Sequence, residues 1–242
     1  MDKERTNTLQ EKLGQNGSSI SKYRRLTVGN CGYTHLILFE IINFCCIPLR
    51  GKFGIFVRKL VLPFIIGKSG HGLSVGPNCT IRNGKKFSIG DNTVIENDVT
   101  LDVKPGDKKL IIGDRVHIGR RTIFNCSGGV MEIGEYTVIG SFCRLGSLQG
   151  LTIGHHCRLG DNSCISGASH SFSRTDIPVI QQDLTCKGPT FIGNYVTIGK
   201  QVTILDGVNI GNNVTILPDS LVNRDIAEGL IVAGVPARVV QQ

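Results

Sequence analysis

One histidine, His170, stands in the longest interruption of an otherwise regular sequence. The interruption runs from Ile165 to Ile192 and reads ISGASHSFSRTDIPVIQQDLTCKGPTFI. A neutral imidazole accepts a proton near neutral pH, and long loops on rigid scaffolds often carry functional residues. A histidine in an ordinary loop is more often only solvent-exposed. Its place in the largest insertion leads us to the hypothesis that His170 is a general base.

A six-residue step organises the chain on both sides of this loop. Each step carries a large aliphatic residue, often followed by Gly, and a small or β-branched residue four positions later. This pattern is typical of a parallel β-helix, whose coils of three short strands bury their apolar faces by stacking. The aliphatic positions are Val75, Ile81, Ile89, Ile95, Leu101, Ile112, Ile118, Phe124, Ile133, Ile139, Leu145, Ile153, Leu159, Ile165, Ile192, Ile198, Ile204, Ile210, Ile216 and Val222.

The longer steps in this series fall at equivalent places. When the positions are taken in threes from Val75, every step longer than six follows the second member of its coil. We therefore predict that all insertions, including the loop of His170, leave from one edge of a triangular prism.

Most of the nine cysteines are explained by the same repeat. Cys79, Cys143 and Cys157 occupy the small inward position and Cys164 adjoins Ile165, so we interpret them as small core residues. Two more, Cys126 and Cys186, lie in insertions, where the repeat constrains them less. The odd number of cysteines, the lack of a CxxC pair and the polar N-terminus without a signal peptide lead us to expect a reducing, cytoplasmic environment.

Most of the net positive charge lies in the N-terminal part of the chain. Residues 1–72 carry 11 Lys and Arg against 4 Asp and Glu, whereas residues 73–242 carry 16 against 15. A nucleic-acid-binding domain would be expected to show basic residues and aromatic residues over a folded face, so we expect no nucleic-acid partner.

The basic N-terminal part contains two apolar stretches. The run from Leu36 to Leu49 is shorter than the roughly 20 residues that cross a bilayer. The following stretch, from Phe53 to Phe64, mixes apolar residues with Lys and Arg, as interfacial helices do at anionic headgroups. Two interpretations stay open and are compatible: the segment caps the β-helix, or it contacts the membrane.

The chain from residue 73 to 240 resembles the hexapeptide-repeat acyltransferases. GPTFIGNYVTIGKQVTILDGVNIGNNVTILPDSLVNRDI and VAGVPARVV are similar to the end of the galactoside and maltose O-acetyltransferases. LRGKFGIFVRKLVLPFIIGKSG is similar to members associated with polysaccharide and O-antigen biosynthesis. The resemblance implies an all-β, left-handed parallel β-helix of about seven triangular coils and a homotrimer.

The resemblance also implies site residues. SGASHSF is similar to the loops that carry the catalytic base, which would be His170, with Ala168 where some members have another histidine. Acetyl-CoA would be the donor, lying between two prisms. Its phosphates would be held by Arg224 and Arg238, with Pro218 and Asn223 lining the groove.

Two departures from the family pattern bear on the site. Thr197 stands where members often have tryptophan, in VTIG. The zinc-dependent members of this fold need three convergent histidines and show a His-x4-His spacing. His117, His155 and His156 do not have that spacing, and we interpret them as exposed edge residues, so no metal is expected.

The leading prediction is an enzyme that transfers acetyl from acetyl-CoA to a saccharide hydroxyl in polysaccharide or O-antigen biosynthesis. Alternatives are an N-acetyltransferase acting on an amino sugar or amino acid, and a non-catalytic β-helix scaffold. The predicted organisation has these parts: a flexible polar N-terminus at 1–22, a basic amphipathic helical segment at 23–72, the β-helix at 73–222 with its insertion loop at 166–191, and a tail at 223–242. The predicted location is the cytoplasm, with peripheral contact at the inner membrane.

Overall fold

The computed structural model describes residues 18–241 and consists of a short helical segment followed by a three-sided β-helix. The helices are α1 (Ser19–Thr27), α2 (Tyr33–Ile41), which continues as a π-helical turn (Ile42–Cys46), and α3 (Gly51–Val61), which ends in a 3₁₀ turn (Leu62–Phe64). Most of the predicted flexible N-terminus, residues 1–17, lies outside the described residues, and residues 19–22 belong to α1.

Three parallel sheets, here named A, B and C, form the sides of the prism, and seven successive coils each give one strand to every sheet. Two-residue strands are sufficient because each is paired with a strand of the coil before and the coil after it. The predicted parallel β-helix with an N-terminal helical segment is thereby confirmed.

Sheet A contains β1 (Lys68–Ser69), β4 (Phe87–Ile89), β7 (Lys109–Ile112), β10 (Val130–Ile133), β13 (Leu151–Ile153), β18 (Thr190–Ile192) and β21 (Asn209–Ile210). Sheet B contains β2 (Ser74–Val75), β5 (Val94–Ile95), β8 (His117–Ile118), β11 (Val138–Ile139), β14 (Arg158–Leu159), β19 (Thr197–Ile198), β22 (Thr215–Ile216), β24 (Ile231–Ala233) and β25 (Arg238–Gln241). Sheet C contains β3 (Thr80–Arg82), β6 (Thr100–Val103), β9 (Ile123–Cys126), β12 (Arg144–Ser147), β15 (Cys164–Ile165), β20 (Thr203–Ile204) and β23 (Leu221–Val222).

The core is built as the repeat predicts. All the aliphatic residues of the six-residue step, and the small residues four positions later wherever no insertion intervenes, are at most 3% exposed. Parallel pairing in register places each aliphatic residue directly above its counterpart, as in Ile165 above Leu145 and below Ile204. The inward columns therefore run without a break through the whole prism.

The glycine that follows many of the aliphatic residues is required by the close stacking of the coils. At Gly199, an added Cβ would lie 2.5 Å from the backbone nitrogen of Pro218 in the next coil. The left-handed backbone conformation falls two residues later, at Gln201, with φ of 58°. The glycine is thus selected by backbone contact, while the left-handed corner is filled by a residue with a side chain.

Insertions leave the prism where the chain passes from sheet C to sheet A of the next coil, which we name the C/A corner. The strands before and after the longest insertion, β15 and β18, belong to sheets C and A, and the shorter insertions occupy the same corner in earlier coils. The prediction of a single insertion edge is confirmed.

The sequence interpretation of Cys126 was wrong. It belongs to strand β9 and is fully buried, because β9 extends two residues beyond its aliphatic position Phe124 and turns Cys126 inward. Burial raises the pKa of the Cys126 thiol, as it does those of Cys79 and Cys143, which rise to about 11. These thiols are core side chains rather than nucleophiles.

The β-helix extends beyond the predicted bounds of 73–222 at both ends. Strand β1 begins at Lys68, and the C-terminal residues form an antiparallel hairpin, β24–β25, that adds to sheet B. In the part of the chain that the structure describes, no helix is long and apolar enough to cross a membrane.

Candidate active site

His170 lies in a small hairpin within the long insertion at the C/A corner. Strand β16 (Ser169–His170) pairs antiparallel with β17 (Leu184–Thr185), and Thr185 Oγ1 donates a hydrogen bond to the Ser169 carbonyl at 3.1 Å. The hairpin holds a part-exposed imidazole at the side of the fifth coil.

The ring of His170 is oriented by a backbone carbonyl. Its Nδ1 lies 3.1 Å from the Gln182 carbonyl oxygen. A carbonyl oxygen only accepts hydrogen bonds, so Nδ1 carries the hydrogen in this contact. In the neutral ring Nε2 then has a free lone pair, which is the state that a general base requires.

Gln182 is the buried anchor of the loop. Its side chain is almost completely buried and accepts a hydrogen bond from the Arg174 N–H at 3.2 Å. Its amide nitrogen donates to the carbonyl oxygens of Arg174, at 2.7 Å, and Ile177, at 3.3 Å. Gln182 therefore contacts His170 through its backbone carbonyl and holds the Arg174–Ile177 part of the loop through its side chain.

No carboxylate that the sequence places near the loop contacts His170. Asp161 accepts a hydrogen bond from the Ser141 N–H and pairs with Lys200, and these contacts, the Ser141 bond first, lower the pKa of Asp161. Asp176 pairs with Arg174 within the loop. The orienting group is a main-chain carbonyl, which the sequence does not single out.

The four residues matched to cofactor binding surround β23 in the last coil. Pro218 precedes this strand, and Asn223 and Arg224 follow it at the C/A corner, which is also the corner of the His170 loop. Arg238 is placed beside the strand because the neighbouring Ala237 N–H donates to the Leu221 carbonyl at 2.8 Å.

These four residues are exposed, and among residues 18–241 neither arginine forms an ion pair. Guanidinium groups without a carboxylate partner are chemically suited to phosphate, although Arg238 also donates to the Ala237 carbonyl at 3.2 Å. The His170 loop leaves the fifth coil and β23 belongs to the seventh. At the usual strand spacing, the loop and the four residues around β23 are therefore separated by about 10 Å along the prism. Within one chain no hydrogen bond among the described residues joins them to His170.

Thr197 lies on sheet B, the side of the prism opposite the C/A corner. Its side chain is exposed, and its strand neighbours are Arg158 and Thr215. Within one chain, Thr197 therefore lies on a different side of the prism from the corner that carries the His170 loop.

The other histidines lie away from this corner. His117 Nε2 is 3.3 Å from the Glu96 carboxylate, and His155 and His156 lie in a cluster of rings with Tyr136 and Tyr195. Over the described range, 18–241, no group of three His, Cys, Asp or Glu side chains is arranged to hold a metal ion.

Comparison with known proteins identifies the same six-residue repeat that the sequence shows. Residues 189–224 match the protein-family model for the bacterial transferase hexapeptide (six repeats). The chain is 26% identical over 170 residues to WbbJ of Escherichia coli (strain K12), whose proposed role is that of a lipopolysaccharide biosynthesis O-acetyl transferase; the alignment covers 68% of this chain and 76% of WbbJ. The chain carries the bacterial transferase hexapeptide repeat and resembles the hexapeptide-repeat acyltransferases.

Two further similar proteins extend the comparison. This acyltransferase is 29% identical over 160 residues to the galactoside O-acetyltransferase of Escherichia coli (strain K12), covering 64% of this chain and 63% of that relative, slightly less than two thirds of its length. The N-acyltransferase AntD from Bacillus cereus, solved as a mutant with coenzyme A and dTDP-4-amino-4,6-dideoxyglucose, shares the fold at a TM-score of 0.51 and 22% identity, over 73% of this chain and 83% of AntD.

Proposed function

We propose that this acyltransferase transfers an acetyl group from acetyl-CoA to a hydroxyl of a saccharide, in polysaccharide or O-antigen biosynthesis. The observation that carries the proposal is the His170 imidazole, whose Nδ1 is occupied by the Gln182 carbonyl so that Nε2 is free to accept a proton. Similarity to two O-acetyltransferases supports a hydroxyl acceptor.

The chemistry needs one base and no enzyme nucleophile. A sugar hydroxyl is almost fully protonated at neutral pH, and Nε2 of His170 takes its proton as the oxygen bonds to the thioester carbonyl carbon. When the carbon–sulfur bond breaks, the protonated ring returns that proton to the departing thiolate. The Nδ1 contact with a neutral carbonyl holds the ring in one orientation during both transfers.

Arg224 and Arg238 are proposed to bind the phosphates of the donor, with Pro218 and Asn223 lining its groove. Their exposure, the lack of carboxylate partners among the described residues and their position around β23 support this assignment. The donor would extend from the seventh coil toward the loop that leaves the fifth.

A homotrimer is the proposed assembly, with the groove between two prisms. The loop presents exposed apolar side chains, including Phe172 and Ile180, that have no cover within one chain. Thr197 and sheet B lie opposite the loop corner, which supports a site formed by the loop of one copy and the sheet B face of the next. We also propose that the protein works in the cytoplasm, in peripheral contact with the inner membrane.

Removal of the base tests the proposed reaction. With acetyl-CoA and a panel of sugars, the wild-type protein should release thiol, and His170→Ala should lower kcat by a factor of about 10² to 10⁴, the usual contribution of a general base. His71→Ala, which removes an exposed imidazole from the first coil, is the matched control and should keep full activity. Thiol release by His170→Ala at the wild-type rate would contradict the assignment.

An amine acceptor is the second candidate, because the fold is shared with the N-acyltransferase AntD. The same base could deprotonate an amino sugar during attack. A panel that contains matched amino and hydroxy sugars decides between them: acetylated product only on the amine would replace the O-acetyl assignment. Absence of both coenzyme A binding and thiol release would favour the scaffold alternative.

A further inference from the structure

The N-terminal helices cover the first coils of the β-helix with one side and leave the other side apolar. Along α2 and its π-helical extension, Leu36, Phe39 and Ile42 are buried in the common core. Along α3 the inward positions include Gly54 and Arg58. The capping interpretation of this segment is therefore satisfied by its inner side alone.

Arg58 fixes this inner side to the prism. Its guanidinium is fully buried and donates to the carbonyl oxygens of Val75, at 2.7 Å, and Ile47, at 3.2 Å, and also to that of Leu49. Carbonyls at the end of a helical segment carry partial negative charge and stabilise a cation there. The orientation of the helices on the first coil is set by these contacts.

The opposite side, which we name the outer face, consists of seven large apolar side chains that are between 54% and 86% exposed. They recur at helical spacing on both segments, so each helix presents a continuous apolar stripe to solvent. A continuous exposed apolar surface marks an interaction site. The outer face comprises Ile37, Ile41, Phe44, Phe53, Phe56, Leu60 and Phe64.

Charge identifies the partner. Arg50, Lys52 and Lys59 are exposed on α3 or at its N-cap, and Lys68 is exposed four residues after Phe64. None of them forms an ion pair with another described residue. Between residues 28 and 90 the sequence has one acidic residue, Glu40. Its carboxylate already accepts a hydrogen bond from the Tyr23 hydroxyl at 2.6 Å. Phenylalanine stripes flanked by unpaired cations are the features that bind helices to anionic lipid.

We propose that the outer face is a lipid-binding surface, with its aromatic side chains inserted among the acyl chains and its lysines against anionic headgroups. This proposal deepens the peripheral membrane contact proposed above and is independent of acetyl transfer. The outer face belongs to helices that pack on the first coil, whereas His170 leaves the fifth, so the two surfaces can be altered separately.

Sedimentation with vesicles tests the proposal on the full-length protein. Vesicles of phosphatidylcholine mixed with phosphatidylglycerol should bind the wild type at least about tenfold more tightly than phosphatidylcholine alone. The double variant Phe53→Ser and Phe56→Ser should lose at least about tenfold in affinity for the anionic vesicles. Lys52→Gln with Lys59→Gln should lose a similar factor, and this loss should disappear at high salt.

Phe142→Ser is the matched control, because Phe142 is an exposed phenylalanine at a corner of the prism away from the N-terminal helices. It should bind vesicles as the wild type does. The proposal is overturned if the wild type ignores anionic vesicles or if the serine variants bind equally well. It is also overturned if light scattering without lipid shows that the outer face joins copies of the protein.

Thiol release on a soluble sugar separates this proposal from the proposed reaction. Phe53→Ser with Phe56→Ser should keep the wild-type kcat, since neither residue is near the His170 loop. A protein that binds vesicles but releases no thiol would refute the reaction and leave the lipid-binding surface standing. A protein that releases thiol but does not bind vesicles would refute the lipid-binding surface and leave the proposed reaction standing.

Discussion

At the scale of single residues, the proposed base His170 is oriented by a main-chain carbonyl rather than by an acidic side chain. The Gln182 carbonyl fixes which nitrogen of His170 carries the hydrogen, and the Gln182 side chain fixes where that carbonyl lies. A neutral partner imposes geometry on the ring without adding a second charge that titrates beside it. The alignment of the His170 ring for proton transfer therefore depends on how rigidly the loop is held.

Gln182→Ala should lower kcat about 10- to 100-fold, because the loop loses three hydrogen bonds and the base loses its alignment with the acceptor. The free energy of unfolding should change by less than about 1.5 kcal/mol, since the loop lies outside the stacked core. Steady-state kinetics and chemical unfolding measure the two effects.

Gln181→Ala is the matched control, because Gln181 is the neighbouring exposed glutamine. It should change neither quantity. If Gln182→Ala kept the wild-type kcat, or lost activity only in proportion to unfolded protein, the positioning role would be refuted.

At the scale of elements, the stability of each coil depends on how closely the backbone of the next coil can approach it. Strands of two residues contribute few hydrogen bonds each, so stability comes from unbroken stacking of identical positions. The glycine after the aliphatic residue lets the next coil's backbone come within contact distance, which no side chain would allow. Insertions are tolerated at the C/A corner because they leave both flanking strands in register.

Gly199→Ala should destabilise the β-helix by about 1–3 kcal/mol, because the added methyl group would meet the backbone of Pro218 at 2.5 Å and one coil would have to shift. The midpoint of chemical unfolding measures the change. Gly32→Ala is the control: its added methyl would approach only Thr34 Oγ1, at 3.8 Å, so its cost should be below about 1 kcal/mol. Equal effects at the two positions would refute the contact argument.

At the scale of the whole molecule, the proposed homotrimer would complete the site between neighbouring copies. The loop with His170 projects from one corner, and the opposite side, sheet B, carries Thr197. Packing prisms side by side would bring a loop of one copy to a sheet of the next and would cover the apolar loop residues. Assembly and catalysis are therefore expected to depend on the same surface.

Analytical ultracentrifugation should give a mass three times the 26.2 kDa of the chain. The double variant Phe172→Ser and Ile180→Ser should dissociate at protein concentrations at which the wild type stays assembled, because it removes exposed apolar contacts of the loop. Phe53→Ser with Phe56→Ser serves as the control and should keep the assembled mass. A wild-type monomer with full activity would contradict the shared-site assembly.

The sequence by itself determined the β-helix, its inward residues and the corner of its insertions. All three follow from a short period that every coil repeats, so local spacing carries the information. It also marked His170, because a long loop stands out against such a repeat. The inward position of Cys126 was missed because β9 extends beyond the six-residue step.

Only the tertiary structure decided what surrounds these features. The partner of His170 is a backbone carbonyl twelve residues away, and every residue type has the same carbonyl, so no side-chain pattern reveals it. Helix α2 is apolar on both sides, and α3 buries the charged Arg58 while it exposes phenylalanines, so their sequence does not distinguish the side that packs on the first coil from the side that faces solvent. That choice is made by long-range contacts such as those of Arg58, which form only when the chain is folded.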